Sequence, residues 1–413
     1  LLRGARQVGK TETVRYLAGK FENYIEINFD ENEEIHAIFN KNLTPDEICE
    51  NLSVIYNIPI IEGSTLIFFD EIQSCLPALH SLRYFYEKKP GLHIVSAGSL
   101  LEFALSEIAS FGVGRIRSVF MYPLSFDEFL IALSKEKMLD LRRKAGQHKP
   151  LTEPLHNELL KLLQKFIMLG GMPEVIANYI ETGDINECRR IIDDLIFSYQ
   201  DDFAKYKDKF PVAMIREVFD SVVMQSGGKF VYSKAGTANH AKIKEALNLL
   251  ILAGLVIPVK HTAANGIPLG AEINSKKQKM LLLDTGIFLR ILDFDIAEYL
   301  LSYEFSAINK GNVAEMFVGL EIKKYRSPFE RTDLFYWHRE AKNSNAEVDY
   351  LVIKDGHITP IEVKAGTKGA MQSMFLFMKE KKIDEGIRIS TENFSRFDQI
   401  SVYPLYSVNN LIS

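Results

Sequence analysis

The stretch Leu1-Leu2-Arg3-Gly4-Ala5-Arg6-Gln7-Val8-Gly9-Lys10-Thr11 decides the reading of the fold. Gly4 through Thr11 fit the pattern G-x-x-x-x-G-K-[ST] at every fixed position. Apolar residues precede the loop, and Val14, Leu17 and Ala18 follow it at helical spacing. The pattern predicts a strand ending near Leu2, a turn through glycines that carry no obstructing side chain, and a helix starting near Lys10. Backbone N–H groups of such a loop point inward at an anion, and the helix dipole adds positive potential. The expected ligand is a chain of phosphates. Gly4, Ala5, Arg6, Gln7, Val8 and Gly9 would cradle it, Lys10 would reach the β- and γ-phosphates, and Thr11 would hold Mg2+ through its hydroxyl. A chance glycine-rich turn is the competing reading, and the strand–loop–helix context disfavours it. The sequence opens without Met on a stub of the leading strand, so a preceding N-terminal segment, carrying part of the base-binding pocket, is expected.

The totals set bounds. The chain has 413 residues, 47% hydrophobic and 25% charged, with a net charge of −5, an ordinary globular composition long enough for two to four domains. Cys49, Cys75 and Cys188 are far apart and form no C-x-x-C pair, which argues against a disulfide framework or a zinc site and for a reducing cytoplasm. The longest apolar stretch, Ala246 to Val259, is too short to span a bilayer, so no membrane partner is expected.

Downstream of the loop, Tyr24 to Asp30 alternates like a strand, and Glu33 to Tyr56 is a polar helical stretch. Ser64-Thr65-Leu66-Ile67-Phe68-Phe69-Asp70-Glu71 then reads as a strand buried on both faces, with two acids at the end where parallel sheets place ligands. Asp70 is the candidate Mg2+ ligand. Glu71 is the candidate base that orients and deprotonates an attacking water. An acidic turn after a core strand is the plainer alternative; the loop at Gly4–Thr11 weighs against it. After a helix bearing Leu79, Leu82 and Tyr86, the run Leu92 to Ser99 predicts another buried strand. Ser99, or second to it Ser96, is placed to touch the γ-phosphate or the water, with a strand-end cap the alternative. Arg115 is a candidate charge stabiliser at the γ-phosphate, reaching within its own chain or into a neighbour in a homo-oligomer; a surface arginine is the alternative. Strands alternating with helices imply a parallel sheet with right-handed crossovers.

Gly4–Thr11, Phe69-Asp70-Glu71-Ile72-Gln73, Tyr122-Pro123-Leu124-Ser125-Phe126-Asp127-Glu128-Phe129-Leu130 and Gly170-Gly171-Met172-Pro173-Glu174 together resemble a large prokaryotic family. Its members join an AAA-type ATPase module to a C-terminal domain of unknown function. The resemblance runs through essentially the whole chain. It implies an α/β P-loop NTPase domain of AAA type over residues 1–145, with ATP and Mg2+ as ligands and ATP hydrolysis as the activity.

Residues 146–210 read as a polar linker and a helical lid or connector. Residues 211–290 change character: a short strand at Lys229–Ser233, a helix capped by Asn239, and two apolar strands around a polar hairpin form a winged-helix pattern. Between residues 229 and 279 eight lysines face two acids, against the chain's overall acidity. Lys242 and Lys244 on the expected recognition helix, and Lys276, Lys277 and Lys279 near the wing, are candidate contacts to a DNA backbone. A module that connects protein domains is the alternative.

Residues 291–413 read as a small α/β domain. Gly311 to Lys324 predicts a helix bearing Glu315; Leu334–Arg339, Glu347–Ile353 and Ile361–Lys364 predict strands, with a hairpin turn at Asp355-Gly356. Asp349 followed by Glu362-Val363-Lys364 resembles the restriction-endonuclease-like core. Alternation puts Glu362 and Lys364 on one face, and the hairpin brings Asp349 alongside. Two carboxylates and the Val363 carbonyl would hold Mg2+, Lys364 would orient water or neutralise a phosphate, and Glu315 would complete the set. A cross-strand salt bridge to Lys364 is the alternative. Two functions therefore stand open: an ATP-hydrolysing enzyme whose tail binds or cuts DNA, and an ATP-gated DNA- or protein-binding switch whose nuclease-like tail is inert.

Overall fold

The computed structural model describes residues 1–40, 44–99, 101–107, 114–206, 211–294, 311–339, 345–366 and 371–412. These form two compact units, residues 1–122 with 252–254 and 328–331, and the remainder. The first unit runs β1 (Leu2–Arg3), α1 (Lys10–Ala18), β2 (Asn23–Asn28), α2 (His36–Asn40), α3 (Pro45–Tyr56), β3 (Thr65–Asp70), α4 (Leu76–Lys88), β4 (His93–Ser96), α5 (Leu101–Glu107) and β5 (Val119–Phe120). β3 pairs in parallel with β2 and β4, and β1 with β5. A parallel bridge from Leu2 to Ala97 joins the two groups.

All six residues of β3 are buried, as its apolar run predicts. Leu66 and Phe68 pack with Val14 and Ala18 of α1, while Ile67 and Phe69 pack into the cluster with Ile25, Ile27, Leu79 and Phe85. Helices therefore cover both faces of the parallel sheet, which leaves the strand ends as the place for chemistry. Two expectations change. The helical stretch Glu33–Tyr56 is broken, because Thr44 forms a capping box with Glu47 and Pro45 opens α3. The strand expected at Leu92–Ser99 shortens to His93–Ser96, and His93 is exposed rather than buried.

The second unit contains α6 (Phe126–Ala132), α7 (Glu136–Arg143), α8 (Glu153–Leu169), α9 (Pro173–Thr182), α10 (Ile185–Asp202), α11 (Val212–Met224) and α12 (His240–Leu252). It continues with β6 (Val256–Thr262), β7 (Ile273–Leu282), α13 (Thr285–Ile291), α14 (Gly311–Lys324), β8 (Leu334–Arg339), β9 (Ala346–Lys354) and β10 (His357–Val363). α15 (Gln372–Lys381), β11 (Gly386–Ser390), β12 (Ser395–Phe397) and β13 (Ile400–Pro404) complete it. Its eight strands form one sheet in the order β12-β13-β11-β10-β9-β8-β6-β7.

That sheet moves the expected domain boundaries. The hairpin β6–β7, expected as the wing of a separate module ending at residue 290, pairs in parallel with β8 through Val259–Leu334 and Lys260–Phe335. It is the edge of the same sheet that carries β9 and β10. Lys229–Ser233 is no strand: Lys229 makes one bridge to Lys279, and residues 232–234 form a 3-10 turn. The boundary expected at residue 145 falls at 122, because α6 and α7 are tied into the second unit.

The ties are electrostatic. Asp127 is buried and accepts from Arg142, Arg143, Asn409 and the Tyr325 hydroxyl, the last at 2.8 Å. Arg142 itself is wholly buried and also donates to the Tyr406 carbonyl at 2.7 Å. Gly170 and Gly171 break the helical run for a related reason: the buried Asp284 carboxylate accepts the Gly171 N–H at 2.6 Å. A Cβ on Gly170 would meet that carboxylate at 2.0 Å, and one on Gly171 would meet the Leu124 carbonyl oxygen at 2.3 Å. Asp127→Ala leaves the Arg142 guanidinium buried without its counter-charge, so it is expected to destabilise the second unit by about 3–5 kcal/mol. The midpoint of that unit's urea transition, compared with the parent, checks this.

Candidate functional site

In the first unit the loop and the acidic strand end meet. The loop turns at Gly4 (φ 149°), Gln7 (φ 63°) and Gly9 (φ 88°). A Cβ on Gly4 would stand 2.3 Å from the Met121 carbonyl oxygen, so the first fixed glycine is needed for close approach of two backbones. Lys10 opens α1, is buried, and donates to the carbonyls of Gly4 at 3.0 Å and Ala5 at 2.7 Å. Burial pushes its ammonium down to about 8, against the pull of the nearby Glu71 and Asp70 carboxylates. The Thr11 hydroxyl donates to Asp70 Oδ2 at 2.9 Å. Burial raises Asp70 above the usual carboxylate range, and the Thr11 bond opposes that rise.

Glu71 sits in the left-handed region, φ 47° and ψ 41°, at the end of β3. Its Oε2 accepts from Ser99 N–H at 3.1 Å, Ser99 Oγ at 3.2 Å and Gln73 Nε2 at 2.5 Å. Thr11, Asp70, Glu71 and Ser99 are thus hydrogen-bonded in series, the Glu71 N–H donating to Asp70 Oδ1 at 3.0 Å, while Lys10, next to Thr11, bonds the loop carbonyls; Gln73 is a member to which the sequence assigned no role. Ser96 is buried on β4 and takes no part in these bonds. Arg115 is exposed and donates to Glu87 on α4 at 2.7 Å, an arrangement that suits the surface-arginine alternative.

A second charged cluster lies in the second unit. Carboxylate oxygens of Glu315, Glu347 and Asp349 fall within 4.8 Å of one another. Lys279, on β7 and 1% exposed, donates to Glu315 Oε1 at 2.8 Å, forms an ion pair with Glu347, and stands 4.0 Å from Asp349 Oδ1. Burial works against its charge, yet the Glu315, Asp349 and Glu347 carboxylates together hold its ammonium above the ordinary lysine range. Burial pushes Glu315, Asp349 and Glu362 up. Lys364 Nζ donates to Glu362 Oε1 at 2.6 Å, and Asp349 Oδ2 accepts the Val363 N–H at 2.8 Å. The four expected residues Glu315, Asp349, Glu362 and Lys364 do come together. Glu347 and Lys279 join them unexpected, and the Glu362–Lys364 salt bridge forms.

Lys279 is therefore withdrawn from the candidate DNA contacts, because its ammonium is buried and paired with carboxylates. Lys242, Lys244 and Lys276 are exposed and Lys277 is half-buried. Lys260, counted in the same basic stretch, pairs with Asp333 at 2.6 Å, so the local excess of positive charge is smaller than the sequence suggests.

Residues 1–130 match the family model of an AAA domain. Residues 160–298 and 310–408 match two domains of unknown function, DUF8612 and DUF4143. An uncharacterised protein of Methanocaldococcus jannaschii is 25% identical over 428 residues, covering 97% of this chain and 83% of that protein. Among solved structures, the Aeropyrum pernix ORC1 protein in complex with DNA is 13% identical and matches over 71% of this chain and 85% of its own, with a TM-score of 0.27, too low to support any inference. No helix among the described residues is long and apolar enough to cross a membrane.

The titration of Lys10 gives a sign that can be measured. With its ammonium at about 8 in the free protein, a phosphate placed beside it raises the value, so the bound state holds more protons near pH 8. Binding of a magnesium-bound triphosphate is expected to take up about half a proton at pH 8 and to weaken as pH rises through that region. Calorimetry in buffers of different ionisation enthalpy reads the uptake; proton release would remove Lys10 from the phosphate site.

Proposed function

We propose that the chain binds ATP on the Gly4–Thr11 loop and hydrolyses it there. The carrying observation is the 2.9 Å hydrogen bond from Thr11 to Asp70, which joins the loop to the acidic strand end. The match of residues 1–130 to an AAA domain supports the same reading. The donor set fits a magnesium ion: a hydroxyl and a carboxylate side by side are hard oxygen ligands. Thr11 and Asp70 would hold Mg2+, which when bound supplies charge neutralisation at the triphosphate. Lys10 exchanges two neutral carbonyls for phosphate oxygens, and a buried ammonium prefers a negative partner to a neutral one. Glu71 orients water toward the γ-phosphate and takes its proton on the carboxylate. Ser99 and Gln73 hold that carboxylate in place, so Ser99 acts through Glu71 rather than on phosphate.

For the second unit, exposed Lys242, Lys244 and Lys276 support contact with a nucleic-acid backbone, with DNA as the partner. The grouping of Glu315, Asp349, Glu362 and Lys364 supports a restriction-endonuclease-like unit, and the helix α11, helix α12 and hairpin β6–β7 support a winged-helix element merged into its sheet. Of the two functions left open above, one observation favours the inert tail: a lysine already neutralises the carboxylates that cleavage would need for a metal.

Lys10→Ala is expected to lose ATP binding. Glu71→Gln is expected to keep binding and to slow hydrolysis about a hundredfold or more; equal turnover in parent and Glu71→Gln would remove Glu71 from its role. Plasmid DNA incubated with the parent and Mg2+ or Mn2+ is expected to remain intact, as it does with Asp349→Ala or Lys364→Ala. Nicking by the parent that both substitutions abolish would restore the nuclease reading.

A further inference from the structure

We propose that the Lys279 ammonium is the resident cation of the Glu315–Glu347–Asp349 cluster, and that it makes this a latent divalent-cation site, closed while the lysine is present. The inference deepens the inert-tail reading above and uses its assignment of the unit only for the kind of ion.

The donors suit a divalent ion. Three carboxylates supplied by α14 and β9 converge within 4.8 Å, a spacing that isolated anions avoid unless a cation lies between them. A separate observation points the same way. Glu362 is 6% exposed, and its Oε2 is buried with no hydrogen-bond partner among the described residues, although Lys364 takes the other oxygen. The antiparallel register that pairs Ile361 with Tyr350 sets Glu362 beside Asp349, and the Asp349 carboxylate accepts the N–H of the next residue, Val363, at 2.8 Å. A buried carboxylate oxygen left without a donor has a lone pair open to a water or an ion.

The cation is nonetheless present, and it is covalent. Lys279 Nζ lies 2.8 Å from Glu315 Oε1, contacts Glu347 Oε1, and is 4.0 Å from Asp349 Oδ1. It also stands 5.1 Å from the centre of the Tyr336 ring, whose face adds a further favourable contact. A magnesium ion needs oxygens at about 2.1 Å, so it would have to displace the ammonium from the same oxygens. Lys279 is 1% exposed and stands where β7 passes from its exposed half into the buried run Met280, Leu281 and Leu282. β7 thus delivers a single positive charge to the centre of the carboxylates, and the pairing of β6 with β8 keeps it there.

The test counts Mn2+ bound by the full chain at pH 7.5 without nucleotide, by equilibrium dialysis with spin-resonance detection. Only binding that Asp349→Asn abolishes is scored, which sets aside ions held by the first unit. The parent is expected to show none. Lys279→Met is expected to gain one such ion per chain, at a Mn2+ concentration at least about tenfold below the highest at which the parent still shows none, and to lose it again when Asp349→Asn or Glu362→Gln is added. A folded Lys279→Met protein with no gain overturns the proposal, as does Asp349-dependent Mn2+ binding by the parent. If Lys279→Met does not fold, the comparison of parent with Asp349→Asn decides alone: equal counts support the lysine as the resident cation, unequal counts overturn it. DNA cleavage is read separately, so a failure of the inert-tail reading and a failure of this proposal give different results.

Discussion

A charge taken out of water must be met by an opposite charge or by a full set of hydrogen bonds, and both units are arranged around that requirement. Lys10 is met by two loop carbonyls, Asp70 by the Thr11 hydroxyl, Asp127 by two arginines, an asparagine and a tyrosine, and Asp284 by the Gly171 and Ile287 amides. Lys10 is met within its own loop, whereas Asp70, Asp127 and Asp284 each take a partner from far along the chain, Thr11, Asn409 and Gly171. These three charges fix long-range contacts that apolar packing, being non-directional, would leave loose.

The two buried lysines show how differently the requirement can be met. Lys10 has neutral oxygens as direct partners, and its ammonium is pushed down by burial despite the acids nearby. Lys279 has carboxylates as direct partners, and its ammonium is held above its ordinary range. The opposite shifts follow from the direct partners: neutral oxygens offset little of the burial that disfavours the Lys10 charge, whereas three carboxylates more than offset it at Lys279.

How much of this could be read in the sequence follows from the range of each interaction. The loop at Gly4–Thr11, the strand at Thr65–Asp70 and the helix at Gly311–Lys324 are set by local pattern, and all three were legible. Asp349, Glu362 and Lys364 come together because a hairpin turn at Asp355 and Gly356, both with positive φ, fixes their register. The pairing of β6 with β8 links residues 260 and 335, and no local periodicity encodes it. Lys279 was misread for the same reason. Its neighbours Lys276 and Lys277 lie toward the exposed half of β7, and the basic run suggested a surface. The one available signal was the apolar run Met280 to Leu283 directly after it, which places Lys279 where the strand turns buried. Asp127 shows the converse: it stood out as part of a family motif, yet its partners are an internal charge network.

The backbone at Glu71 explains how two consecutive acids serve one site. In an extended strand, neighbouring side chains point to opposite faces, so Asp70 and Glu71 would diverge. Glu71 instead adopts φ 47° and ψ 41°, a conformation that costs a residue with a Cβ about 1 kcal/mol or more. The surroundings hold it there from several directions. The Ile72 N–H donates to the Ala97 carbonyl at 3.1 Å, the Ser74 N–H to the Glu71 carbonyl at 3.0 Å, and Ser99 and Gln73 grip the side chain. A glycine would relieve the strain and lose the carboxylate. The twist lets Asp70 keep the Thr11 hydroxyl while Glu71 turns to the end of β4, and the small cost in backbone strain is what brings both acids to the same end of the sheet as Lys10.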